Sequence, residues 1–216
     1  MHVGILGGTG PAGRGVALRL AEGGVRITLG SRDAERAAET AGHLSARWPD
    51  LAAVIEGAEN EVAALADVVV VATPWESAVS TVKSLREPLE GKVLISMANA
   101  LVKDGREMLA LVPPRGSVAA AIQAAVPGSR VAAAFHHLPA SEMENLDSGL
   151  EADVLVCSDH AAATAETIAL IERMKGLRPL DAGSLSQAAA IEAFTAVCIS
   201  LNIRHKVHST LRMSGI

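Results

Sequence analysis

The sequence predicts an α/β protein built on a doubly wound parallel sheet, with a small C-terminal α/β unit ending in a long apolar helix. Three observations carry that prediction. A short apolar run, His2 to Leu6, feeds directly into Gly8-Thr9-Gly10-Pro11-Ala12-Gly13, so a glycine-rich turn joins a buried strand to a helix. Asp67 to Ala72 contains four consecutive valines, the continuous β-branched pattern of a strand covered on both faces of a parallel sheet. Strand-like and helix-like segments alternate through most of the chain.

The first turn reads as a dinucleotide fingerprint of a Rossmann-type sheet. Gly8 allows the tight turn, Gly10 lets a pyrophosphate approach the backbone, and Gly13 lets the helix close on the strand. The helix start then offers free N–H groups to phosphate, and Pro11 suits a first turn where its missing N–H costs nothing. Ala12 completes the loop. The second strand, Arg26 to Leu29, ends in Gly30-Ser31-Arg32, where an NAD site would usually carry an acid for the ribose hydroxyls. Here Thr9 and Ser31 offer hydroxyls, Arg32 can fork onto a phosphate, and Arg36 follows one helical turn later. That chemistry favours NADP(H), whose 2′-phosphate is the matching anion. The alternative makes Asp33 the ribose acid, although Asp33 also stands where an N-cap for the next helix belongs.

That helix is expected near residues 34–47, followed by a break at Pro49, a weak strand near 53–56 and a helix near 59–66. Beyond the valine strand, Lys92 to Ser96 and Arg130 to Ala134 read as strands, with helices near 77–85 and 117–125 between them. From Phe135 to Ala152 the periodicity disappears and Pro139 and Gly149 intervene, which marks a boundary or a long functional loop. The expected division is therefore a dinucleotide-binding domain at 1–150 and a small C-terminal domain at 151–216. In the latter, 153–157 and 177–181 read as strands, 161–175 as a helix, and 186–206 as the long helix. Ala188, Ile191, Phe194, Val197, Cys198, Ile199, Leu201 and Ile203 make that helix apolar on nearly every side. Something must cover it, either the other domain or a second copy in a homodimer.

Composition narrows the classes further. Half of the 216 residues are hydrophobic and the net charge is -5 with dispersed signs, so no broad basic face for nucleic acid is expected. No charged leader precedes the first strand, and no apolar run of membrane length is read in the chain; a cytoplasmic protein without a membrane partner is expected. Cys157 and Cys198 lie far apart and read as reduced thiols, and no metal-ligand spacing is present.

Ligands of such a sheet bind beyond the carboxyl ends of the strands. Three loops there stand out besides the glycine turn: Thr73-Pro74-Trp75-Glu76, Ser96-Met97-Ala98-Asn99-Ala100 and Phe135-His136-His137-Leu138-Pro139-Ala140. Trp75 can wall a site for stacked planar rings or seal a helix start. Asn99 can bind a carboxamide or cap a turn. His136 and His137 titrate in the right range for acid–base work, but no carboxylate or serine partner is evident, and a structural role is favoured. No hydrolytic triad and no obvious Lys or Tyr proton donor appear. A hydride passed between two bound rings needs alignment more than an acid.

Taken together, Gly7 to Gly15, Gly30-Ser31-Arg32, Pro74-Trp75-Glu76, His136 to Ala140 and Gly176 to Gly183 make the chain resemble the NADPH-dependent F420 reductase family over essentially its full length. The resemblance implies direct hydride transfer between NADP(H) and the deazaflavin coenzyme F420. It implies that Thr9, Ser31, Arg32 and Arg36 hold the 2′-phosphate, with Thr73, Pro74, Trp75 and Asn99 also on the nucleotide. It places the deazaflavin among Trp75, Met97, His136, His137, Leu138, Pro139 and Ala140. The loop at 96–100 departs from the proline-containing turn of archaeal members, which leaves its deazaflavin contact open. The acidic tail of F420 calls for a basic docking surface, and Arg204, His205, Lys206, His208 and Arg212 either provide it or form a solvated helix end. Two alternatives share the fold: an NADPH-dependent flavin, metal or imine reductase, and a non-catalytic NADP(H)-sensing module.

Overall fold

The computed structural model describes residues 1–216. The chain opens with β1 (His2–Leu6), α1 (Pro11–Glu22), β2 (Arg26–Ser31), α2 (Ala34–Arg47), β3 (Ile55–Glu59), α3 (Asn60–Ala63) and β4 (Val68–Val71). It continues through α4 (Trp75–Ser84), α5 (Arg86–Leu89), β5 (Val93–Ser96), the β6 (Leu101–Asp104) and β7 (Glu107–Ala110) hairpin, α6 (Val118–Ala125) and β8 (Arg130–Ala133). The C-terminal part adds α7 (Ala140–Glu144), β9 (Ala152–Ser158), α8 (Ala161–Ile171), β10 (Leu177–Asp181) and α9 (Ala188–His205).

Eight strands form one sheet in the order β10-β9-β8-β5-β4-β1-β2-β3. β1 pairs in parallel with β2 on one side and β4 on the other, which opens a crevice at the carboxyl ends where the winding reverses. The valine strand shows why its run is unbroken. Val68 and Val70 enter the core on one face with α1, α2 and α8, and Val69 and Val71 enter the core on the other with α4, α6 and α9. Both faces are covered, so neither tolerates a polar residue.

Residues 152–181 add two strands to this same sheet. β9 pairs antiparallel with β8, while β9 and β10 run parallel to each other across α8. The expected boundary near residue 150 thus falls where strand direction reverses.

Some boundaries differ from expectation for local reasons. The weak strand lies at Ile55–Glu59 instead of 53–56, because Val54 closes the preceding turn by donating to the Leu51 carbonyl. β3 is an edge strand, and Gly57 lets it approach α2 so closely that a Cβ would stand 2.1 Å from the Ala37 carbonyl oxygen. The helix expected over 59–66 is cut to Asn60–Ala63 as the strand takes Glu59. The helix over 161–175 ends at Ile171. The β6–β7 hairpin is an addition; its signal was Asp104-Gly105, with Gly105 at φ 57 in a two-residue turn.

The expectation that no apolar segment reaches membrane length is corrected. Leu185–His205 is 21 residues with a mean hydropathy of 1.3, long and apolar enough by length and composition. Its polar side chains are nonetheless committed within the protein. Glu192 accepts from the Val118 and Ala119 N–H groups at 2.8 and 3.0 Å, capping α6, and Ser200 Oγ accepts from Met108 N at 2.9 Å. The outward face stays open, with Val197 51% and Leu201 44% exposed. The other half of the chain does not cover it.

Candidate functional site

The crevice at the strand ends is a cleft of about 930 Å³. It is lined by Gly7, Thr9, Gly10, Pro11 and Ala12 from the glycine turn, by Ser31, Arg32 and Arg36 from β2 and α2, by Thr73, Pro74 and Trp75, and by Met97 and Asn99. Four loops distant in sequence meet there because parallel strands deliver every βα turn to one edge.

Gly7 and Gly13 show how the turn is built. Gly7 sits at φ 69 and donates its N–H to Asn60 Oδ1 at 3.1 Å. A Cβ on Gly13 would stand 2.8 Å from the Gly8 Cα, so only glycine lets α1 begin this close to β1. Gly8 and Gly13 therefore act behind the cleft wall and do not line it. Asn60, at the start of α3, was not singled out from the sequence. An asparagine opening a helix was its only signal.

At the outer end, Asp33 is the N-cap of α2 and accepts from Arg36 N at 3.2 Å. Arg32 and Arg36 are exposed on the cleft rim and make no ion pair, in contrast to Arg14, Arg19, Arg178, Arg204 and Arg212. Ser31 Oγ accepts from Asp33 N at 3.2 Å, which leaves its own proton free to donate. Glu59, Glu61 and Glu76 also line the cleft.

The inner end is built differently. Eight buried side-chain polar atoms lack a hydrogen-bond partner, and six of them belong to Thr73, Trp75, Ser96, His136 and His137. Such atoms are rare in folded proteins, and here they cluster in the loops after β4, β5 and β8. Of these residues Thr73 and Trp75 line the cleft, where a polar ligand would satisfy groups that otherwise cost free energy.

The His136–Ala140 loop does not itself line the cleft but is fastened to a loop that does. Asn99 Nδ2 donates to the His136 carbonyl at 3.1 Å, and His136 Nδ1 lies 3.1 Å from Asn99 Oδ1. Because that oxygen only accepts, the contact is a hydrogen bond in the tautomer whose Nδ1 carries the proton, and Nε2 has no partner. Thr195 of α9 donates to the same His136 carbonyl at 3.1 Å. Burial, reinforced by His137, pushes the His136 pKa down to about 3, and burial pushes His137 down to about 4. Both rings are neutral at physiological pH. Phe135, just before them, is buried at φ 69, a left-handed conformation that costs a bulky residue about 1–3 kcal/mol. Leu138 is half-buried against the core, and Pro139 is the N-cap of α7, which starts at Ala140.

The basic residues of the tail are mostly committed. Arg204 pairs with Glu107 at 3.5 Å, His208 with Glu142 at 2.8 Å, and Arg212 with Glu151 at 2.8 Å. Trp48 packs against the core, with the Arg47 guanidinium 5.4 Å from its ring centre. No group of three or more His, Cys, Asp or Glu could hold a metal ion. Cys157 and Cys198 are free thiols, and burial pushes Cys157 up to about 12.

A glycine turn at the crevice, unpaired arginines at its mouth and the unsatisfied Thr73 and Trp75 side chains on its wall are the features of a Rossmann-type nucleotide-binding protein. A family model described as NADP oxidoreductase coenzyme F420-dependent matches residues 2–100. The F420-dependent NADP reductase of Methanocaldococcus jannaschii is 38% identical over 97% of this chain and 96% of that protein. That of Methanothermobacter thermautotrophicus is 37% identical, covering 97% and 92%. A crystal structure assigned to the F420-dependent NADP reductases, from Arthrobacter sp. FB24, superposes with a TM-score of 0.83 at 27% identity, covering 98% of both chains. The chain belongs to the F420-dependent NADP reductase family.

Proposed function

We propose that this protein moves a hydride directly between NADP(H) and coenzyme F420 within the cleft. When bound, the two coenzymes supply the redox chemistry through their nicotinamide and deazaflavin rings. The protein's own groups bind and orient. The N–H groups of the glycine turn face the pyrophosphate, and Thr9, Ser31, Arg32 and Arg36 hold the 2′-phosphate. Thr73, Trp75 and Asn99 orient the nicotinamide end. Trp75, Met97 and the loop from His136 through His137, Leu138, Pro139 and Ala140 shape the deazaflavin side. Neutral His136 and His137 serve as fixed dipoles, since neither carries an exchangeable charge at working pH.

The observation that carries this reading is that one cleft joins the glycine turn and free arginines to the unsatisfied Thr73 and Trp75 side chains, with Ser96, His136 and His137 unsatisfied at the ends of neighbouring strands. Mixing the protein with NADPH and oxidised F420 should bleach the deazaflavin absorbance, and the reverse mixture should restore it. Absence of both changes would reject the function. The exposed apolar side of α9 supports a homodimer through that helix, testable by sedimentation of a Val197→Glu variant.

A further inference from the structure

Arg14 stands in the first turns of α1 and reaches two places at once. Nη1 donates to the main-chain carbonyl of Thr9 at 2.8 Å, and Nη2 donates to Glu144 Oε1 at 2.8 Å. Thr9 belongs to the glycine turn of the cleft. Glu144 closes α7, whose first residue directly follows the His136–Pro139 loop. The pair is mostly shielded, with side-chain exposures of 29% and 19%.

The surrounding packing gives this bridge leverage. A Cβ on Gly15 would stand 2.5 Å from Met143 Cβ, so α1 and α7 touch along their backbones. One turn further, buried Arg19 donates to the carbonyls of Met143, Glu142 and Asn145 at 3.2, 2.8 and 2.7 Å. Arg19 thereby holds the C-terminal end of α7 to the body of α1, where no cleft residue lies. Arg14 ties that same end, through Glu144, to the glycine turn. It is the only one of the two that contacts a residue lining the cleft.

We propose that Arg14 is a positioning residue that links the two coenzyme pockets. By holding the Thr9 carbonyl and Glu144 in one planar fork, it transmits the seating of a pyrophosphate on the glycine turn to α7 and the loop before it. The ligand sides of this claim rest on the proposed function. The tie itself does not.

The test uses the intact protein with Arg14→Met, Glu144→Ala and the double variant. Without any coenzyme, amide hydrogen exchange in residues 9–12 and 140–145 should rise together in each single variant, with no further rise in the double. With NADP⁺ alone, exchange in 140–145 should slow in the wild type and stay unchanged in the variants. With NADP⁺ and oxidised F420, a pair that cannot react, the ratio of F420 dissociation constants with and without NADP⁺ should collapse by about three- to tenfold toward one. A merely structural arginine would lower thermal stability and weaken both ligands while leaving that ratio intact. Additive effects of the two single variants, or exchange that rises in only one segment, would overturn the proposal. If the wild type fails to bind F420, the functional reading falls, whereas the first two measurements still decide the role of Arg14.

Discussion

The two ends of the cleft are built on opposite physics. The outer end presents exposed, unpaired guanidiniums on a turn specified by adjacent residues, Gly30-Ser31-Arg32 and Arg36. The inner end carries neutral, buried polar side chains from segments distant in sequence, with Thr73 and Trp75 on the cleft wall and Ser96, His136 and His137 at the ends of neighbouring strands. Charge at a solvated rim selects an anion at modest cost and is screened by salt. Buried dipoles are stronger because water is excluded, but they must be placed by the whole fold.

The largest effect expected from this contrast is at Arg32. Arg32→Ala should raise the NADPH KM on the order of 30-fold, from loss of a charge-assisted contact, while NADH is little affected. Steady-state kinetics with both nucleotides checks it, and equal losses would remove Arg32 from the 2′-phosphate. Next comes Trp75→Ala, which should lower kcat about tenfold with NADPH and NADH alike, because it loosens ring alignment without touching the phosphate. A change confined to NADPH would place Trp75 at the wrong end. Arg36→Ala should raise the NADPH KM only about threefold, and added salt should erase that difference before it erases the Arg32 difference.

The smallest effect is on stability against pH. His136 and His137 bind protons more readily in the unfolded chain than in the native protein, where burial holds them near 3 and 4. Their burial therefore weighs nothing above about pH 6.5 and destabilises progressively as pH falls from there toward 3. Glu192 acts in the opposite sense. Burial raises it to about 7 against the opposing pull of the Val118 and Ala119 N–H groups, so the native state takes up its proton first and gains stability as pH falls from above 7 toward 4.5. Denaturant melts at several pH values should show a shallower acid loss for His136→Gln, and an unchanged profile would contradict the assignment.

The same contrast explains what the sequence could reveal. Local patterns gave the glycine turn, the valine strand, the Asp33 cap and the rim arginines, because each is decided within a few residues of itself. The inner end was only located, through the loops after β4, β5 and β8. That His136 is fastened by Asn99 and by Thr195, 59 residues away, depends on how α9 crosses the sheet edge. Likewise α7 looked aperiodic because five residues are too few to show a period, and Arg19 and Arg14 hold it from outside. The hairpin of β6 and β7 has a local signal as well, Asp104-Gly105 at its turn.

In the proposed reaction one cleft brings the two coenzymes together so that hydride passes without release to solvent. NADPH carrying deuterium at the transferable nicotinamide position, incubated with the protein and oxidised F420 in ordinary water, tests it most directly. Mass spectrometry should find the deuterium retained on the reduced deazaflavin. Reduced deazaflavin carrying only solvent hydrogen, or no reduction at all, would contradict the account.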